Sequence, residues 1–278
     1  METPNYARKF ELGLRFEGQQ PGSAMGSLLS YDMFRAGVAE FLGMMFSLFN
    51  VVTVARLVGS MDSMTTDPSA SILLIAFEYG LNIFILVYIL AEVSGANLNP
   101  AVSMALLVSK RITVERFIIY VILQVLGAMA GAGIGTIFLD STDGGYNAVA
   151  DGIDVRDAFA GEVMCTCLLA LAVFAATDGE LGRKNAFTGP LVPLVIGMTV
   201  LLSHLILIPI DGCSINPARS FGTAFTNNKW DDQWVFWIGP MLGSVLAALV
   251  WEAVLRPKQL VVDAVDPNKP IVQAATTV

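Results

Sequence analysis

Long apolar stretches recur along the chain, separated by short polar joints. Six of them, roughly 34–58, 72–91, 117–139, 158–177, 188–210 and 234–255, reach the ~20 residues that a helix needs to cross bilayer hydrocarbon. None carries a polar stripe wide enough for the amphipathic helix of a soluble protein. Two shorter apolar pieces, near 98–109 and 215–226, cannot span. Each opens with Asn-Pro, and proline is favoured at the first helical position, so Pro100 and Pro217 read as helix starts. They predict half-helices that enter the membrane and turn back. Backbone of that kind survives at membrane depth only when buried in protein or lining a watery cavity.

Charge sets the expected orientation. With both termini inside, the inner segments hold Arg8, Lys9, Arg15, Arg35, Lys110, Arg111, Arg116, Arg183, Lys184, Arg256, Lys258 and Lys269, twelve in all. The outer side holds four: Arg56, Arg156, Arg219 and Lys229. That excess favours six spans with N and C termini in the cytoplasm. The segment 139–157 carries Asp140, Asp143, Asp151, Asp154 and Asp157 and reads as an acidic, solvated outer loop. The chain divides into an N-terminal tail at 1–33, a first repeat at 34–139, the acidic loop at 140–157, a second repeat at 158–255 and a C-terminal tail at 256–278.

Composition agrees. Of 278 residues, 55% are apolar and only 14% charged, against about a quarter charged in soluble domains. Mean hydropathy is +0.65. A net charge of −8 disfavours nucleic acid as a partner, since phosphate binding needs clustered Lys and Arg. Three cysteines are too few for a disulfide framework, and Cys165 and Cys167 read as small hydrophobes. One histidine and scattered cysteines offer no metal cluster. No cofactor motif is present, and no nucleophile, base and orienting group come together as an enzyme requires. The first thirty residues lack the apolar core of a cleavable signal peptide.

The two halves repeat one pattern. Asn99-Pro100-Ala101 recurs as Asn216-Pro217-Ala218. Glu40 lies 59 residues before the first Asn and Glu162 lies 54 before the second, each near the start of its half's first span. After each triplet comes a span with glycines four apart, Gly127 and Gly131, then Gly239 and Gly243. Such spacing lets helices approach closely in lipid. Three spans per half forces the second half to be inverted, so the half-helices enter from opposite faces. Inverted repeats with broken helices meeting at mid-membrane are a transport signature. A carboxylate inside the membrane needs a partner. Glu40 and Glu162 read as structural braces accepting loop N–H groups, with a direct transport role as the alternative.

Two Asn-Pro-Ala motifs, each opening a half-helix after a helix pair, resemble the aquaporin family, also called major intrinsic proteins. The motifs stand in Ser94-Gly95-Ala96-Asn97-Leu98-Asn99-Pro100-Ala101-Val102 and Gly212-Cys213-Ser214-Ile215-Asn216-Pro217-Ala218-Arg219-Ser220. The resemblance covers about 34–255. It implies an all-α membrane protein of six transmembrane helices plus two re-entrant half-helices in an inverted repeat. It also implies a selectivity filter of Tyr79, His204, Cys213 and Arg219, taken from their places relative to the two motifs. His204 is the only histidine, and Ser220 follows the arginine where glycerol-conducting relatives usually carry Asp. The implied function is a passive water channel that excludes protons and ions, assembled as a homotetramer in the lipid bilayer of the plasma membrane or an intracellular vacuolar membrane.

This sequence departs from the family pattern at three places. Asn97 stands where many relatives carry His, so no pH sensor is expected there. Tyr79 adds a hydroxyl that narrows the passage or bonds a neighbour. Glu78 puts a carboxyl where a small residue is usual, pairing with a neighbouring helix or biasing the filter's field. Cys213 beside the filter is the expected site of mercurial block, since soft metals prefer thiolate. Thr113, after Lys110-Arg111, and the C-terminal Thr276-Thr277-Val278 are weak candidates for a kinase site and a PDZ ligand. The aromatics Tyr6, Phe10, Phe16 and Tyr31 mark the N-terminal tail as a candidate cap for the cytoplasmic mouth. The rival readings are a glycerol facilitator of the same fold, a secondary transporter and an ion channel. Arg219 opposes a cation channel, and a transporter needs coupling-ion ligands beyond the two Glu residues.

Overall fold

The computed structural model describes residues 30–62, 68–138, 144–178 and 188–256. Most of the two terminal tails, and with it the mouth-capping and PDZ-ligand readings, lies outside the described residues. The described elements are helices: α1 (Tyr31–Asp62), α2 (Pro68–Ser94), α3 (Pro100–Val108), α4 (Val114–Phe138), α5 (Val155–Thr177), α6 (Thr188–Asp211), α7 (Pro217–Asn227) and α8 (Gln233–Val250), which ends in a π-helical turn, Trp251–Leu255. Six are long and apolar enough to cross a membrane. The nine residues of α3 and eleven of α7 reach only about 14 and 17 Å, half the hydrocarbon thickness. Helix α1 is longer than the expected span at 34–58, and both half-helices begin at their prolines.

The burial pattern is that of a protein whose solvent is lipid. Leu74, Phe77, Leu81 and Ile85 of α2 and Leu194, Val195, Met198 and Leu202 of α6 face outward. Glu40, Gln124, Glu162, His204 and Asp211 are buried inside. Lipid tails are as apolar as leucine, so apolar burial cannot drive these helices together. Close packing and internal hydrogen bonds must do it.

The glycines make that packing possible. Gly127 and Gly131 press against the α1 backbone at Phe41 and Met45, and Gly239 and Gly243 lie against α5 at Glu162 and Val163. Gly80 of α2 and Gly197 of α6 face one another across the axis that relates the two halves. Gly222 brings α7 against Ala128 of α4. The last of these contacts holds the half-helix α7 against the bundle.

A Cβ at Gly131 would lie 2.8 Å from the Met45 carbonyl carbon and 2.9 Å from its Cα, neither of which can move aside. At Gly133 a Cβ would meet nothing within 4 Å. We therefore expect Gly131→Ala to lower thermal stability in detergent by ~1–3 kcal/mol, the cost of overpacking. Gly133→Ala should be neutral or stabilising by up to ~1 kcal/mol through helix propensity. Equal melting temperatures for the two variants would reject this account of the α1–α4 contact.

Candidate functional site

Two irregular turns, one before each half-helix, fold alike to a degree visible residue by residue. Gly95 and Gly212 have φ of +90° and +79°, Ala96 and Cys213 +48° and +55°, Leu98 and Ile215 +49° and +44°. Positive φ is unfavourable for residues with a Cβ, and most of all for β-branched isoleucine. The turns hold this shape because each binds a carboxylate. Glu40 accepts from the N–H groups of Asn97 (2.9 Å) and Leu98 (2.7 Å). Glu162 accepts from those of Ser214 (2.6 Å) and Ile215 (2.7 Å), the same two positions of the second turn. Both carboxyls are fully buried. Ser94 Oγ and Gln124 Nε2 donate to Glu40 as well, at 2.6 and 2.7 Å.

The halves differ beside these carboxyls. Ser94 Oγ accepts from Ala96 N at 3.0 Å, and in the second half the equivalent bond runs from Cys213 N to Asp211 Oδ1 at 2.9 Å. A buried carboxyl thus stands where the first half has a hydroxyl.

The two asparagines close the turns and join the halves. Asn99 Oδ1 accepts from Ala101 N at 2.8 Å, and Asn216 Oδ1 from Ala218 N at 3.1 Å, so each caps its own half-helix. Each amide nitrogen then donates across the midplane. Asn99 Nδ2 bonds the Ile215 carbonyl at 2.7 Å and Asn216 Nδ2 bonds the Leu98 carbonyl at 2.8 Å. An amide nitrogen has two protons. One of each pair is fixed in this exchange; the second proton of Asn99 remains for a ligand, and that of Asn216 has only the Met44 sulfur at 3.9 Å as a weak competing acceptor.

A narrow cavity runs past both asparagines. Its wall reaches from Thr177, the last residue of α5, to Arg219, the third of α7. Val87, Leu169, Val173, Val192, Ile196 and Val200 give it an apolar lining, and Asn97, Asn99, Asn216 and Ser214 supply polar groups. It holds about 70 Å³ of space for water centres, room for more than one water.

Tyr79, His204 and Arg219 converge at one end. The Tyr79 and His204 rings stack with centroids 3.7 Å apart. His204 Nδ1 lies 2.8 Å from the Val200 carbonyl, so it carries the proton, and Nε2 is left as a buried acceptor with no protein partner. The Arg219 guanidinium donates from Nε and Nη2 to the Tyr79 hydroxyl at 2.9 and 2.5 Å, from Nη2 to the Gly212 carbonyl at 3.3 Å, and from Nη1 to Asn147 Oδ1.

Cys213 is not brought to this wall. Its residue is fully buried in the turn and the cavity lining omits it. Glu78 is not on the wall either, and its Oε2 has no hydrogen-bond partner. Asn97 does line the cavity, with its amide on Ser103 Oγ at 3.1 Å.

Asn147 is the residue that sequence reasoning missed. It sits in the segment read as a solvated acidic loop, yet it is buried. It accepts from Arg219 and from Ser220 Oγ (2.7 Å) and donates to the Asp211 carbonyl (3.1 Å). Ala148 N and Ala150 N bond the Asp211 and Ile210 carbonyls, which lays this stretch over the end of α6. At the opposite mouth Arg111 pairs with Asp178 at 3.2 Å and Glu252 at 3.4 Å, and Arg256 joins the same two acids. Thr113 Oγ1 accepts from Arg116 N at 3.3 Å and so caps α4.

Comparison with known proteins places this geometry. The sequence profile of the family described as "Major intrinsic protein" matches residues 27–251. Aquaporin PIP1-2 of Musa acuminata subsp. malaccensis is 40% identical over 238 residues, 83% of this chain and 82% of that protein. Aquaporin PIP2-7 of Arabidopsis thaliana is 41% identical over 239 residues, 84% of this chain and 85% of that protein. The X-ray structure of the aquaglyceroporin from Plasmodium falciparum superposes with a TM-score of 0.70 at 22% identity, covering 81% of this chain and 98% of that one. At that identity it speaks to the fold.

The carboxyl contacts generate a prediction. Glu162→Leu leaves the Ser214 and Ile215 N–H groups without acceptors, at ~1–3 kcal/mol each. We expect a large fall in melting temperature in detergent, and a smaller one for Glu162→Gln, which keeps one acceptor oxygen. A Glu162→Leu protein that melts with the parent would sink this reading of the turn.

Proposed function

The chain belongs to the major intrinsic protein family, and on that footing we propose that it is a passive water channel, conducting water in single file down osmotic gradients while excluding protons and ions. The reciprocal bond exchange between Asn99 and Asn216 carries this reading. It leaves a second amide N–H on each asparagine, contested only by the Met44 sulfur at Asn216, and brings the N-terminal ends of two half-helices to one part of the cavity. A water oxygen there accepts from both amides. Its own hydrogens then point away along the file in opposite directions, which breaks the proton wire. The positive ends of the two helix dipoles add a barrier to protons and cations.

Tyr79, His204 and Arg219 form the second constriction. The unpartnered His204 Nε2 accepts from a passing water, and Arg219 and Tyr79 supply donors. The guanidinium charge repels cations, and the stacked rings leave no room beside His204 for a carbon backbone. Glu40 and Glu162 brace the turns. Pro100 and Pro217 start the half-helices at positions that need no N–H donor, and Ala101 and Ala218 present theirs to the capping asparagines. We assign Cys213 to the filter turn. The apolar walls offer few competing partners, so transit is fast.

Each protomer carries its own pore, and the exposed apolar faces of α2 and α6 supply contacts for a homotetramer. The excess of Lys and Arg favours cytoplasmic termini, which puts Arg219 at the outer end and the Arg111–Asp178–Glu252 cluster at the inner mouth. The host membrane is the plasma membrane or an intracellular vacuolar membrane.

Stopped-flow light scattering on proteoliposomes tests the proposal. We expect fast shrinkage in sucrose and, in glycerol, shrinkage without rapid re-swelling. Rapid glycerol entry would establish a solute facilitator instead, and shrinkage no faster than empty vesicles, in the parent and in variants of the filter alike, would refute conduction. We also expect mercurials to inhibit, slowly because Cys213 is buried, and Cys213→Ser to remove the inhibition. Undiminished inhibition in that variant would move the reactive thiol elsewhere.

A further inference from the structure

The partners of Arg219 divide into fixed and movable. Asn147 Oδ1 is held by Ser220 Oγ at 2.7 Å, while its amide grips the Asp211 carbonyl at 3.1 Å. The Gly212 carbonyl is backbone. Neither lines the cavity, so these two hold the guanidinium from outside its wall. The third partner is the Tyr79 hydroxyl, on a side chain with two rotatable bonds. It takes hydrogen bonds from both Nε and Nη2, at 2.9 and 2.5 Å. Those are donors of the group that a passing water needs, and here a protein oxygen occupies them. The Tyr79 ring lies 3.7 Å from the His204 ring on one side, with its centroid 5.5 Å from the Arg219 carbon on the other. These three residues line the cavity, and Asn147, Gly212 and Cys213 are not part of its wall.

We propose that the Tyr79 hydroxyl is a latch across the filter, and that water passes only when its bonds to Arg219 open. The inference rests on the water-channel reading. It gives Tyr79 a role that a phenylalanine ring of the same volume could not fill. The ring shapes the passage, whereas the hydroxyl withholds two of the arginine's five N–H donors, on Nε and Nη2, from water and sets a barrier of its own. Arg219 keeps its place when the latch opens, because Asn147 and Gly212 remain bonded to it. The charge barrier to cations therefore persists in the conducting state.

The test is osmotic shrinkage in sucrose of proteoliposomes carrying equal amounts of parent, Tyr79→Phe and Tyr79→Leu protein. Tyr79→Phe keeps the ring stack and deletes only the hydroxyl. Its water permeability per protomer should rise about tenfold, the change that follows from taking the net worth of one charge-assisted hydrogen bond off a barrier. Its permeability should also vary less steeply with temperature than the parent's. A parent that conducts with Tyr79→Phe equal to it or slower overturns the latch and leaves the channel reading standing. So does a rise confined to Tyr79→Leu, because ring volume would then be the limit. A parent near the level of empty vesicles beside a fast Tyr79→Phe supports a latch that is normally shut. All three proteins at the empty-vesicle level would overturn the channel reading and the latch together.

Discussion

Non-helical backbone can sit at mid-membrane only if every N–H and C=O finds a partner, since lipid supplies none. Glu40 and Glu162 meet that demand at two equivalent places. Each carboxyl takes two successive N–H groups from a turn in which several residues are forced to positive φ. Without those bonds the turns would carry both the strain of the left-handed conformations and the desolvation of unpaired amides. Nothing would then fix where α3 and α7 begin. The two carboxyls therefore sit upstream of the half-helix axes, the asparagine positions and the arginine that follows the second motif.

The asparagine exchange adds a second level of order. Capping oxygens fix how each amide is turned, and the nitrogens reach across to the opposite turn. Each half thus supplies the carbonyl that the other half needs. Neither site is complete in one half alone, and the glycine contacts between α2 and α6 (Gly80 with Gly197) and between α7 and α4 (Gly222 with Ala128) hold the halves together. The near-symmetry fails at Asp211, which replaces a hydroxyl beside Glu162. Its second carboxyl oxygen is buried without a partner.

Where Tyr79, His204 and Arg219 converge, the same logic is applied to one guanidinium. An arginine at this depth is tolerable because Asn147, the Gly212 carbonyl and the Tyr79 hydroxyl share its donors. Three separate parts of the chain meet to do this: α2, the segment between α4 and α5, and the turn before α7. The histidine tautomer is set in turn by a carbonyl of its own helix. Polar groups at this end of the cavity are therefore few and of known sense as donor or acceptor.

The span count, the half-helix starts at the two prolines and the inverted repeat were legible in the chain. They depend on run length, on the missing proline N–H and on parity, all of which are local. The positions of the carboxyls and asparagines followed from the repeat. Asn147 was not legible, because it lies in an irregular acidic stretch with no period, and its contact exists only once that stretch folds over the end of α6. The orientation of Cys213 was equally hidden, since a left-handed turn decides which way its side chain leaves the backbone. The hydroxyl of Tyr79 was readable as a polar group in the filter, yet its partner was not. Sequence by itself determined which elements exist and where each must start, because hydrophobic length and proline chemistry act within one segment. Tertiary structure alone decided which donors meet which acceptors, because those pairs join segments far apart in the chain and form only when helices approach within the reach of a side chain.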